Sequence, residues 1–340
     1  MDDLALDLEL SGASAAEIAS LAQRAEAAGF SRLWAPELYR SSTIPLAVAG
    51  GATRTIEVAT GIALAFTRSP FVLALEALDL DDLTGGRTVI GLGAGVRRLN
   101  QDWHAVPSYD PPVARMRETI ASVRELVAAL AEGRDARSPG DHVSVRVTGY
   151  RRPMRAVRAR IPVWLAAVLP RMARLAGEVS DGFIDHPVTS LEWMDAELRP
   201  AIVRGAREAG RETPPICGAL IVACDDGDPD AARRAAALSV GFYATVRTYE
   251  RMFADHGFGD RLGAIRRAFL AHRPDELADA VGPDMVAAFA AAGSTADVRA
   301  AVSRYDGRVE RMWLVPPHHD QDLDDTRRWQ EGILAAFGRT

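Results

Sequence analysis

Residues 4–36 read LALDLELSGASAAEIASLAQRAEAAGFSRLWAP, and the order of features in them decides the fold. Residues 4–10 form an apolar run of strand length. Ser14-Ala-Ala-Glu17 then has the spacing of a capping box, Ile18, Leu21, Ala22 and Ala25 recur at helical intervals, and Gly29 supplies a stop. Residues 33–36 begin a second strand, so the stretch is one strand-helix-strand unit of a parallel sheet. Outward from it the cycle repeats. Residues 43–52 predict a helix, residues 56–65 a third strand, and Ser69-Pro70 opens a helix that Gly85-Gly86 closes. Residues 88–92, 163–167, 182–184, 216–224 and 309–315 predict strands four to eight. Their helices run over 113–131, from Pro170, over 191–209 and 229–249, from the cap Ser294-Thr-Ala-Asp297, and over 324–337. Eight strands, each trailed by a helix, predict one α/β domain over residues 1–340, a (β/α)8 TIM barrel rather than an open doubly wound sheet. Two segments fall outside the repeat: residues 134–160, Arg-rich with a Val-alternating piece, predict an insertion, and residues 247–293 a helical excursion.

With 340 residues, 48% of them hydrophobic, the chain can bury one core of that size. A formal charge of -6 and the lack of any basic run exclude nucleic acid or an anionic membrane as the main partner, which points to small molecules. No apolar stretch is long enough to span a bilayer, and Met1-Asp2-Asp3 is acidic where a signal peptide is basic, so a cytoplasmic location is expected. All 40 basic residues are arginine. That removes the P-loop lysine, the Schiff-base lysine and the Ser-Lys dyad. Cys217 and Cys224 stand at an odd spacing in one predicted strand, so they point to opposite faces and form neither a disulfide nor a metal pair. No G-x-S-x-G elbow, H-E-x-x-H pair or H-R-D set is present, which lowers hydrolase, zincin and kinase chemistry.

Three stretches carry a family likeness: Leu33-Trp-Ala-Pro-Glu37, Thr67-Arg-Ser-Pro70 and Leu83-Thr-Gly-Gly-Arg-Thr-Val-Ile-Gly-Leu-Gly-Ala-Gly95. Pro112-Val-Ala-Arg-Met-Arg-Glu118 and Leu175-Ala-Gly-Glu-Val-Ser-Asp-Gly182 extend it. In this order and spacing the chain resembles the bacterial-luciferase-like superfamily of flavin- and coenzyme F420-dependent oxidoreductases, in particular its actinobacterial F420-dependent branch. The resemblance implies a TIM barrel with an insertion, coenzyme F420 or FMN held at the C-terminal mouth, and a homodimer. Two activities follow from it, hydride transfer between F420 and a small organic substrate or FMNH2-dependent monooxygenation, and the absence of a histidine after Glu37 leaves a third reading, a catalytically inactive barrel that binds its cofactor without turnover.

Barrel enzymes place their chemistry on the loops after the strands, and this rule selects the candidates. Glu37 follows strand two, where the resemblance implies an acidic residue at the ring edge, often with histidine next to it. Here Leu38 follows, and Glu37 reads either as an acid-base group or as a solvated loop charge. Gly61-Ile62 aligns with a strand-three bulge whose non-proline peptide the resemblance implies to be cis and pressed against the flavin ring. Gly91, Gly93 and Gly95, with Arg97 beyond them, end strand four. Such glycines admit a ligand to the main chain or serve tight packing, whereas G-x-G-x-G after three strands does not fit a dinucleotide fingerprint. Ala167, Val168 and Arg171 border the helix start at Pro170, whose free N–H groups suit a cofactor phosphate; relatives often have glycine where this chain has Leu169. Arg68, Arg97 and Arg171 are expected together on the mouth as partners for a phosphate and an acidic tail. His186, in Asp185-His-Pro187 after strand six, is the second catalytic candidate. His318-His319 follow strand eight, His104 has no assigned role, and no third ligand suggests a metal. The loop 100–112, with Trp103 and Tyr109, reads as a lid or as interface packing.

Overall fold

A computed structural model describes residues 4–339. Met1-Asp2-Asp3, which bears on the signal-peptide reading, lies outside the described residues, as does Thr340. The strands are β1 (Ala5–Glu9), β2 (Arg32–Ala35), β3 (Glu57–Thr60), β4 (Ala63–Leu64), β5 (Thr88–Gly93), β6 (Ala136–Ser138), β7 (Val145–Val147), β8 (Val163–Ala166), β9 (Gly182–Ile184), β10 (Ile216–Cys224), β11 (Ala290–Gly293) and β12 (Arg311–Val315). Strands β1, β2, β3, β5, β8, β9, β10 and β12 pair in parallel in that order, and β12 returns to β1 through Ala5↔Arg311. The sheet therefore closes into the expected barrel, with helices outside it.

Helices begin where a side chain satisfies the free N–H groups of a first turn. Ser14 accepts from the Glu17 N–H at 3.2 Å, Ser69 from Val72 at 3.3 Å just before Pro70, and Asp228 from Ala231 at 3.0 Å just before Pro229. Ser294 with Asp297, and Asp322 with Asp325, form full capping boxes. Gly85, at φ +67, ends the helix Pro70–Thr84 in the left-handed conformation that favours glycine.

Successive side chains of a strand face opposite ways, so Leu8 of β1 joins the core under the helices while Asp7 turns to the barrel axis. Asp7 is fully buried and accepts from Trp34 Nε1 of β2 at 2.9 Å and from Arg311 of β12 at 2.8 and 3.1 Å. Trp34 stacks on Trp313 at 5.2 Å and meets Trp164 edge-on at 6.3 Å. Buried Arg32 lies over Trp34 and Trp164 and pairs with Glu57 at 2.7 Å. The interior is a plug of tryptophan and paired charge, so ligands are confined to the mouth.

Departures from the sequence reading have local causes. The predicted third strand is broken after Thr60, and β4 resumes beyond Ile62 to pair with β5 through Ala63↔Leu92. The tract 247–293 is helical except for β11, which adds to the far end of β10 through Ile221↔Ala290; its four small residues carry no period that separates strand from helix. Residues 191–209 contain a π turn, Met194–Leu198, ahead of Pro200, which has no N–H for the i−4 carbonyl. Arg97–Asp102 is a short helix at the start of the loop read as irregular. The insertion 134–160 is a β6–β7 hairpin, held by Glu118, which accepts from the N–H groups of His142 and Val143 at 2.7 and 2.6 Å. Its Arg-rich part is a fastener: Arg152 reaches Asp79 and Asp82, and Arg158 reaches Asp81, all on the helix Pro70–Thr84. Both cysteines are free and buried, and no helix among the described residues is long and apolar enough to cross a membrane.

Candidate active site

The floor of the mouth is a backbone ledge. The Gly61–Ile62 peptide bond is cis, at the position the resemblance indicated. A Cβ on Gly61 would stand 2.8 Å from Trp313 and 3.1 Å from Trp34, so the ledge rests directly on the tryptophan plug and only glycine fits. The glycines of β5 serve this ledge. A Cβ on Gly91 would lie 2.1 Å from the Thr60 carbonyl oxygen, and one on Gly93 would lie 2.5 Å from Ile62 Cδ1. Thr60 Oγ1 accepts from the Gly91 N–H at 2.8 Å and donates to the Gly91 carbonyl at 2.7 Å. Of the two readings of these glycines, tight packing holds for Gly91, whose N–H is already taken by Thr60. Gly95, at φ +65, makes the turn into the loop and packs on Leu64.

Glu37 is neither solvated nor free. Its carboxylate accepts from the Leu64 N–H at 2.9 Å and from Arg68 Nη1 and Nη2 at 2.9 and 2.5 Å, and Glu76 approaches the same guanidinium at 3.3 Å. The pair clamps β4 just after the ledge. Arg68, expected among the free cations of the mouth, is neutralised here, as Arg97 is by Asp110 while lying over the Tyr109 ring at 5.0 Å. Tyr109 donates to the Gly95 carbonyl at 2.8 Å and edges onto Phe66, which ties the loop down, whereas Trp103 is exposed. Glu37→Gln keeps an acceptor for Leu64 but loses the charge, and is expected to lower stability by about 1 kcal/mol in urea denaturation.

Four imidazole-bearing and phenolic elements converge above this floor. His318, after β12, forms an ion pair with Glu9 at the end of β1. Burial disfavours its charge, yet the adjacent Glu9 carboxylate wins and raises its pKa. His319 stacks on Phe242 at 3.4 Å, and its Nε2 is buried without a partner. Burial, with the fields of His318 and His186, pushes its pKa down to about 3. His186 Nδ1 accepts from the Val188 N–H at 3.3 Å, so a neutral ring carries its proton on Nε2, 3.2 Å from the Tyr249 hydroxyl. Burial lowers the His186 pKa to about 4, and Tyr243 lies edge-on to the ring at 4.9 Å. Burial likewise raises the Tyr243 and Tyr249 phenols above their ordinary range. Asp185, buried and hence raised, accepts from the His186 N–H at 2.8 Å.

On the β8 side, the helix Pro170–Val179 starts at Leu169 with no side-chain cap. Arg171 in its first turn is exposed and, among the described residues, without a partner. Ala167 is buried, and the Val168 carbonyl is occupied by Trp193 Nε1 at 3.2 Å. Of the three arginines expected here, only Arg171 remains available. Sequence reasoning passed over Glu9, Tyr243, Tyr249 and the tryptophan plug. For Glu9 a signal existed, because Leu6-Asp-Leu-Glu-Leu10 alternates and so sends both acids to one face. The two tyrosines reach His186 from about 60 residues away, which no local pattern reveals. Among the described residues, no group of three His, Cys, Asp or Glu is placed to hold a metal ion.

A plugged parallel barrel with a ledge, a ring of imidazoles and phenols, and an uncapped helix start is the architecture of a barrel enzyme. The luciferase-like monooxygenase family matches residues 4–309, and the chain belongs to that family of oxidoreductases. A Mycobacterium tuberculosis protein provisionally named as a coenzyme F420-dependent oxidoreductase is 30% identical, over 90% of this chain and 92% of its own length. The coenzyme F420-dependent tetrahydromethanopterin reductase of Methanopyrus kandleri shares the fold with a TM-score of 0.81 at 23% identity, over 98% of this chain and 99% of that one. The oxygenating constituent of 3,6-diketocamphane monooxygenase of Pseudomonas putida, solved with FMN, does so with a TM-score of 0.67 at 17% identity, over 98% and 97%.

Proposed function

We propose that the chain transfers a hydride between coenzyme F420 and a small organic substrate at this mouth. The observation that carries the reading is the buried, partnerless His319 Nε2 beside the Glu9–His318 pair and near neutral His186, an acid-base centre that nothing in the fold itself requires. The Mycobacterium tuberculosis relative supports the choice of coenzyme. The residues present fit such a group: Gly61 and Ile62 would underlie its ring, Ala167 and Val168 border it, and Arg171 with the uncapped helix start would take its phosphate. When bound, the deazaflavin supplies the hydride.

The chain's own residues handle the proton. A carbonyl that gains hydride at carbon gains a proton at oxygen. Tyr249 keeps its phenolic proton, because burial raises its pKa, and its oxygen accepts from His186 Nε2–H. Glu9 favours the charged form of His318, and neutral His319 offers an acceptor. The tryptophan plug below and the loop tied down by Tyr109 exclude water.

Fluorescence titration tests the reading. Saturable binding of F420 and none of FMN is expected. Binding of FMN instead, with oxygen consumption, makes the chain a flavin monooxygenase, and F420 binding without turnover over a panel of carbonyls and alcohols makes it a carrier. Arg171→Met is expected to weaken F420 binding about tenfold with an unchanged Tm, since the side chain holds nothing else in the fold.

A further inference from the structure

A second recess adjoins the rim of the mouth, between the segment that follows β4, the start of the helix Pro112–Glu132, and the β6–β7 hairpin. It is an open groove of about 460 Å3, lined among others by Phe66, Arg68, Ser69, Arg115, His142 and Ser144. No carboxylate lines it. Of the acids around it, Glu37 and Glu76 are engaged by Arg68, and Glu118 by the backbone of the hairpin.

Arg115 is the singular feature of this groove. Among the described residues it is the one arginine that is not exposed and whose guanidinium has neither a carboxylate nor a hydrogen-bond acceptor. Its guanidinium carbon sits 4.6 Å from the centre of the Phe66 ring, which fixes one face of the group and leaves its N–H edge unused. Arg87 provides the contrast. It is comparably shielded, but its N–H groups reach the carbonyls of Gly50, Thr53, Ile56 and Thr84 at 2.6 to 3.1 Å. Arg124, Arg152 and Arg158 each meet an aspartate. A half-buried guanidinium with five unused donors suits an anion, because burial penalises its charge and, beyond the Phe66 ring, no protein group compensates.

We propose that this groove is a binding site for a carboxylate or phosphate group of a small molecule, held by Arg115 against Phe66, with His142 and Ser144 on the opposite wall. The groove shares no lining residue with the Gly61–Ile62 ledge. Its anion comes either from a free metabolite or from the acidic end of a ligand whose ring occupies the mouth, and the two sources are distinguishable.

Calorimetric titration of the full chain with inorganic phosphate and with γ-glutamylglutamate, at low salt, reads the site directly. Saturable binding of at least one probe is expected, weakened about tenfold to a hundredfold in Arg115→Met and only in part in Arg115→Lys. The Arg115-dependent part of the binding should persist in Arg171→Met, which removes the separate phosphate partner proposed at the mouth. A ligand reaching out of the mouth is indicated if F420 with its glutamyl tail binds Arg115→Met more weakly while the tail-free coenzyme does not. A free anion is indicated if both coenzymes bind as in wild type and only the probes are lost. Equal probe binding by wild type and Arg115→Met, or no saturable binding to wild type, overturns the proposal. Arg115→Met is expected to keep the wild-type Tm; a lower Tm together with intact probe binding would make Arg115 a packing residue and equally overturn it. Loss of F420 binding at the mouth with probe binding retained would sink the proposed function and leave this site standing.

Discussion

Gly91→Ala is expected to destabilise the fold by about 3 kcal/mol in urea denaturation, the upper part of the range for overpacking a core. The added Cβ would stand 2.1 Å from the Thr60 carbonyl oxygen and 2.7 Å from Ile184 Cδ1. The second contact can relax, since it is the tip of a flexible side chain. The first cannot, because Thr60 is backbone of β3 and is locked to Gly91 twice through its own hydroxyl, at 2.7 and 2.8 Å. Relief requires β3 to move away from β5, which shifts the Gly61–Ile62 ledge that begins at the next residue. Cofactor affinity should therefore fall along with stability. Gly51→Ala is the control. It lies in the helix Thr43–Ala52 with no atom within 4 Å of the new Cβ, and should stabilise by about 0.5 kcal/mol. Equal stability of Gly91→Ala and wild type would show that β5 does not press on the ledge.

The barrel was legible because its signals are local. Caps at Ser14, Ser69 and Ser294 lie within three residues of the donors they satisfy, and the run 216–224 is apolar at nearly every position because that strand, β10, is buried along its whole length. The mouth was legible only in outline. Position after a strand places Glu37, Arg68, Arg97, His186 and His318 on one rim, but what each does there depends on partners far along the chain. Glu37 and Arg68 are 31 residues apart and neutralise each other, and His318 meets Glu9 from the other end of the sequence. A composition with arginine as its only cation hides the distinction that matters, between Arg68, paired to two carboxylates, and Arg171 or Arg115, paired to none. β11 was invisible for a related reason: Ala290-Ala-Ala-Gly293 becomes a strand because β10 offers it an edge.

Between pH 7 and pH 5 the wild type is expected to lose about 2 kcal/mol of stability that His319→Phe retains. In the fold, burial and the fields of His318 and His186 hold the His319 pKa near 3, against 6.5 for an unperturbed imidazole. The unfolded chain therefore takes up a proton below pH 6.5 that the folded chain refuses until about pH 3. Stability is unaffected above that window and falls by about 1.4 kcal/mol per pH unit within it, or about 2 kcal/mol by pH 5. His186, lowered to about 4, adds a parallel loss. His318 runs the other way: its raised pKa contributes fully below 6.5 and is lost as the pH rises through the folded value. Asp185 and Glu76, both raised by burial, favour the fold on acidification. All of these titrate in both proteins, so the difference between wild type and variant isolates His319. Phenylalanine preserves the stack on Phe242 while removing the partnerless nitrogen, and the wild-type urea midpoint should fall relative to that of the variant as the pH drops from 7 to 5. Parallel pH profiles would mean that the fold leaves the His319 pKa where the unfolded chain has it, which would remove the imidazole held neutral by burial and leave the proton chemistry to Tyr249 and His318.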